Sequence, residues 1–246
     1  MPRKVWIPIA AVAALVLIGA GGAYAYFFSG LRASPPALAL ASPSASPSAA
    51  AASPTASATT IGGAGTWTIA SGSVIGYRVN EQFAGQSSSH EAVARTSEVT
   101  GQVAITRTAG AYEMTSASIT VRLAGLASVD TVAGYNVTNR DRIVQQSLGV
   151  GSFPSATFAA QPVTLPSGAD TGQTVTVSVP GQLTIHGVTK SVTATIQLRV
   201  SGTTAQIAGS IATNMTEFGI SPPTIGFTTV QPAVTIDFLL NLTQGS

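Results

Sequence analysis

From residue 192 to residue 200 hydrophobic and polar side chains alternate without a break. Val192, Ala194, Ile196, Leu198 and Val200 fall on one side, and Thr193, Thr195, Gln197 and Arg199 on the other. Successive side chains leave an extended chain on opposite faces, so this is a strand with one dry and one wet face. Strands of a parallel sheet are buried on both faces and rarely read that way, which predicts an antiparallel sheet covered on one side. Just upstream, 183–186 is a short strand, Gly187 breaks it, and 188–190 turns the chain back, which predicts a hairpin. The same alternation recurs at 73–83, 98–107, 117–123, 156–161, 174–179, 205–213 and 234–242. In the last of these Val234, Ile236, Phe238, Leu240 and Leu242 share the dry face. Many short alternating runs between Gly, Pro, Asn and Ser turns predict a sandwich or barrel. About eight strands can close around an interior just wide enough for side chains or one slender ligand.

One stretch departs from the period of two. Residues 139–149 open on Asn139 in a capping position, place Ile143, Val144 and Leu148 at helical spacing, and stop at Gly149, which predicts a single short helix against the sheet.

The N-terminus reads differently again. Residues 5–28 carry no charge, and at 1.5 Å per residue a helix of that length is roughly 36 Å, enough to cross a hydrocarbon core of about 30 Å. Arg3 and Lys4 outweigh the single Arg32 beyond the run, which places the N-terminus in the cytoplasm and the remainder outside. Ala23-Tyr24-Ala25 has the small-x-small form at which a signal peptidase would release a secreted domain, but the apolar run continues past it, and a retained single-pass anchor is the preferred reading. Residues 33–60 are almost all Ala, Ser, Pro and Thr and are expected to form a solvated tether. The expected organisation is therefore an anchor over 1–30, a disordered linker over 31–63 and a folded domain over 64–246.

Composition narrows the chemistry. There is no cysteine, which excludes disulfides, thiol nucleophiles, thiolate metal sites and a lipidated cysteine. Three of the eleven basic residues, Arg3, Lys4 and Arg32, precede the domain, leaving eight basic against nine acidic residues and no electrostatic case for nucleic acid. His90 and His186 are the only histidines, and neither has a second ligand at a metal-site spacing, so no metal and no cofactor are expected. His186 is read as a turn residue bonded to backbone. The domain has no Gly-x-Ser-x-Gly elbow and no phosphate-binding loop. Arg140, Asp141 and Arg142 could recognise a polar or anionic head group; the alternative is a solvated or internally paired helix start.

Several segments, taken in order, resemble the YceI-like family: Trp67-Thr68-Ile69, 73–79, Arg140-Asp141, Phe153-Pro154-Ser155-Ala156-Thr157-Phe158, Leu183-Thr184-Ile185-His186-Gly187-Val188-Thr189-Lys190, and Phe218-Gly219-Ile220. The chain departs from the family pattern where a histidine and a leucine often follow the Arg-Asp pair and Arg142, Ile143 and Val144 stand instead. The resemblance implies a lipocalin-like antiparallel barrel that holds a polyisoprenoid chain, such as a quinone tail or polyprenyl alcohol, in an internal channel, exported or tied to a membrane.

Together these readings predict an all-β, antiparallel, eight-strand lipocalin-like barrel with one short helix, preceded by a transmembrane helix and a linker. The expected function is extracytoplasmic binding of a polyisoprenoid lipid without catalysis. The side chains expected to line the channel are Ile119, Val121, Leu123, Val177, Ile196, Leu198, Ile236 and Phe238, with Ile143, Val144 and Phe158 near a lid. The rivals are a solid-cored barrel acting as an envelope interaction module and, more remotely, an enzyme using His186 or Asp141. Pairing of barrels into a homodimer is left open.

Overall fold

The computed structural model describes residues 32–41, 63–84, 89–132, 137–225 and 228–245. The predicted anchor at 5–28 and most of the predicted linker lie outside these residues. Among the described residues no helix is long and apolar enough to cross a membrane.

The alternating runs form one closed antiparallel barrel of eight strand paths. The first path is β2 (Gly65–Ile69) continued by β3 (Val74–Phe83), and the second is β4 (Ser89–Thr96) continued by β5 (Val99–Thr108). These two paths make one long hairpin, with Gly65 opposite Ile105 and Gln82 opposite Ser89. Next around the wall come β6 (Ala111–Arg122), β9 (Ser155–Ala160), β11 (Val175–Ile185), β12 (Val188–Ser201) and β13 (Thr204–Asn214). The last strand, β15 (Thr228–Gln244), pairs with β13 on one edge and with β2 and β3 on the other, which closes the ring. Closure leaves no exposed barrel edge, the usual liability of an antiparallel sheet.

Tight turns hold neighbouring strands in register. His186 (φ 53°) and Gly187 (φ 73°) link β11 to β12, and Ala109 (φ 51°) and Gly110 (φ 89°) link β5 to β6. Two left-handed residues in a two-residue loop match the twist of the flanking strands. A Cβ on Gly187 would also lie 2.6 Å from the Phe153 ring, so glycine is required there twice over. As expected, His186 is a turn residue bonded to backbone: its Nδ1 lies 3.3 Å from the Phe218 carbonyl.

The barrel has two unlike ends. The far end carries the tight turns 109–110 and 202–203. The near end carries two of the three long connections: helix α1 (Val137–Ser147), between β6 and β9, and a segment from β13 to β15 that opens with a 3-10 turn (Met215–Phe218); the third, 161–174 between β9 and β11, lies at the far end. Helix α1 starts two residues before the expected Asn139, which lies within the helix instead of capping it. Its stop is as expected: Gly149 is left-handed (φ 59°) and the Val150 N–H reaches back to the Gln145 carbonyl.

The first part of the Ala/Ser/Pro tract differs from the expected solvated tether. Residues 32–41 lie against the barrel, with β1 (Arg32–Ala33) paired to β8 (Thr131–Val132) just before α1.

Candidate functional site

Inward-facing residues of the wall are largely aliphatic, but several are too small to meet across the barrel. Ala117, Ala156, Ala160 and Ala194 face inward and leave the middle unfilled. The result is an internal cavity of about 240 Å³ running from mid-barrel to the near end. Its walls include Ile119, Val121, Leu123, Phe158, Ile196, Ile236 and Phe238 from the strand layer, and Ile143 and Val144 from α1. The structure thus brings nine of the eleven expected channel residues to one cavity. The other two sit lower in the barrel. Leu198 lines a second cavity of about 60 Å³ towards the far end, and Val177 is buried in the core beside Ile196 without lining either. Val103, Met114, Val179, Ile196 and Ile207 line both cavities, so the partition between them is one layer of side chains thick.

At the near end the cavity is closed by connections, not by strands. Ile143 and Val144 of α1 and Leu148 just after it are half-buried, and Met215, Phe218, Ile220 and Pro223 complete the cover. The 215–223 segment carried no alternation and was not legible as cavity wall. Tyr77, Val79 and Glu81 of β3 were equally missed, although their spacing of two is the signal that puts them on one face.

A buried ionic corner joins the helix to the wall. Arg140, 2% exposed, donates through Nε to Ser128 Oγ (3.1 Å), through Nη1 to Glu81 (3.2 Å), and through Nη2 to Ser128 Oγ (2.9 Å) and to Asp130. Asp130 also accepts from the Val93 N–H (3.0 Å) and lies 2.7 Å from His90 Nε2. Burial disfavours the Arg140 charge, but Glu81 and Asp130 outweigh that cost and raise its pKa. Burial would raise the Asp130 carboxyl, but hydrogen bonds from His90, Arg140 and the Val93 N–H hold it below the usual carboxylate value. Glu81 goes the other way, because burial raises its pKa despite Arg140. Burial likewise raises the Tyr77 phenol, which stays neutral beside the cavity.

Of Arg140, Asp141 and Arg142, the head-group candidates, only Arg140 lines the cavity. The hydrogen bonds of Arg140 are taken up within the protein, Asp141 accepts from both the N–H (3.0 Å) and the hydroxyl (2.5 Å) of Ser128, and Arg142 is exposed. Arg140 and Asp141 fasten α1 over the barrel end, the internally paired alternative. Among the described residues no group of three His, Asp or Glu side chains is arranged to hold a metal.

A closed eight-strand antiparallel barrel, an aliphatic cavity and a lid helix pinned by a buried Arg are now in view, and a family model for the YceI-like domain matches residues 67–242. The chain belongs to the YceI-like family. No curated protein matches its sequence. Among solved structures, a polyisoprenoid binding domain from Saccharophagus degradans, implicated in plant cell wall breakdown, is similar at 14% identity and a TM-score of 0.52, covering 74% of this chain and 99% of that one. BcnA of Burkholderia cenocepacia is similar at 20% identity and a TM-score of 0.45, over 67% of this chain and 95% of that one. A YCEI protein of Campylobacter jejuni shares 18% identity at a TM-score of 0.43, over 61% and 84% of the two chains. At these identities the likeness concerns the fold of the YceI-like domain.

Proposed function

We propose that this YceI-like domain binds a polyisoprenoid lipid of the quinone or polyprenyl type in its cavity, on the outer face of the membrane in which residues 5–28 anchor it. The observation that carries the reading is the cavity itself, about 240 Å³ walled by aliphatic side chains and closed by a helix. An apolar void of this kind in a packed protein is destabilising unless a guest fills it. At about 0.8 kcal/mol per buried CH₂, each five-carbon unit of a prenyl chain would contribute on the order of 4 kcal/mol before ordering costs. The name of the Saccharophagus domain supports the ligand class. The reaction is binding alone: the polar groups beside the cavity hold α1 in place.

The test is organic extraction of the full-length chain purified from its membrane, with mass spectrometry of the extract, followed by uptake of a long-chain prenyl quinone by the delipidated protein. A co-purifying prenyl lipid and saturable uptake are expected. Ala117→Phe, which projects a ring into the cavity, should abolish uptake while the thermal transition stays cooperative. An extract without prenyl lipid together with no uptake would overturn the reading.

A further inference from the structure

The outer face of β15 carries an anomaly. Ile236 and Phe238 point into the cavity, so Asp237 between them points outward, yet it is only 2% exposed. Residues 32–41 cover it. The Leu38 N–H donates to Asp237 Oδ2 (3.2 Å), and Arg78 and Arg95 reach the same oxygen at 3.5 and 3.3 Å. These two arginines also hold the covering segment: Arg78 donates to the Pro35 carbonyl (2.8 Å) and Arg95 to the Pro36 carbonyl (2.6 Å). Ser34 donates to the Glu91 carbonyl (2.5 Å), and Arg32 and Ala33 pair with Val132 and Thr131. The contacts fall in chain order, from β8 beside the lid helix, past β4, to the middle of the barrel wall. The segment is a strap whose N-terminal end lies at the near end of the barrel.

We infer that this strap holds the near end of the barrel, with the lid of the cavity, against the lipid bilayer. The inference rests on the reading of 5–28 as a membrane anchor. Arg32 lies four positions beyond Phe28, so the strap begins at most about 14 Å from the end of the apolar run. A free linker from 28 to 63 would instead let the domain wander by roughly 33 Å in any orientation. The rest of the tract, 42–62, can span up to about 70 Å and need only return the chain from the outer wall to Gly63 at the far end. With its lid facing the bilayer, the cavity can exchange a hydrocarbon chain with the membrane without exposing it to water. The partner that this end fits is therefore the lipid surface itself.

The absence of cysteine makes the test direct. Val129→Cys marks the near end, where Val129 is 45% exposed, and Thr203→Cys marks an exposed turn at the far end. Each full-length variant is spin-labelled and placed in nanodiscs containing nickel-chelating lipid, and relaxation enhancement by the headgroup nickel is measured. The near-end label should relax at least several-fold more strongly than the far-end label. Replacing residues 34–41 by Gly and Ser at equal length should leave the barrel folded and bring the two labels to similar values. Equal enhancement in the unaltered chain, with the protein still in the discs, would overturn the strap and leave the anchor standing. A chain that does not enter the discs would overturn the anchor and the inference with it.

Discussion

Strand β3 carries an ionic cluster on each of its faces, and the two are built for different work. Facing inward, Glu81 meets Arg140 and, through it, Asp130; their side chains are 3%, 3% and 0% exposed. Facing outward, Arg78 joins Glu91 and Asp237, at 11%, 39% and 2%. The inner cluster is dehydrated on every side, so removing any member strands a buried charge. It fixes the position of α1 over the cavity, and its geometry contributes more than its net energy. The outer cluster keeps one rim in water and binds main-chain groups of the strap. Its contribution is to docking, and each part of it should be weaker.

The largest effect that would test this contrast is Arg140→Met, which leaves Glu81 and Asp130 facing each other in a dry corner. A loss of about 3–5 kcal/mol is expected in urea unfolding. If geometry and not energy is the corner's purpose, the triple change Arg140→Met, Glu81→Gln, Asp130→Asn should recover most of that loss while loosening α1, read as faster amide exchange over 137–147.

Next comes Asp130→Asn, expected to cost about 2–4 kcal/mol at pH 7. The Asp130 pKa is lowered in the folded state, so its stabilisation is present above the unfolded value of about 3.9 and is lost as the pH falls through the folded value. The gap between Asp130→Asn and the unaltered protein should therefore close in acid. A gap that persisted unchanged below pH 3 would contradict the ionised pairing.

Asp237→Asn probes the outer cluster. It keeps an acceptor for the Leu38 N–H but removes the charge between Arg78 and Arg95, and a loss of about 1–2 kcal/mol is expected. Its sharper readout is limited proteolysis, with cleavage within 32–41 accelerating before the barrel itself is cut. The smallest effect belongs to Arg122→Ala. Its pair with Glu98 is 3.6 Å long, with side chains 73% and 50% exposed, and the change should stay within about 0.5 kcal/mol.

Much of this architecture was legible in the chain because a strand with one wet face writes its period into local sequence. Ile119, Val121, Ile236 and Phe238 could be assigned to an interior from spacing alone. What spacing could not show was how far along the barrel each residue sits, and so Val177 and Leu198 were placed in a channel that the Met114 layer closes above them. Arg140 was visible as a charge at a helix start, but its partner Glu81 lies 59 positions away and only the closed barrel brings them together.

The strap was hidden for a different reason. Its contacts run mainly through the Pro35 and Pro36 carbonyls and the Leu38 N–H, groups that nearly every residue type carries, so an Ala/Ser/Pro composition gives no hint of them. The sequence by itself determined the antiparallel strands, the single helix, the turn at His186-Gly187 and the apolar character of the interior, since each depends on neighbours a few residues apart. Tertiary structure alone decided that the small inward residues leave a cavity, that Arg140 and Asp141 lock the lid, and that a featureless tract covers an outward-facing Asp237. These are meetings between distant segments, and their energies depend on burial that exists only once the ring has closed.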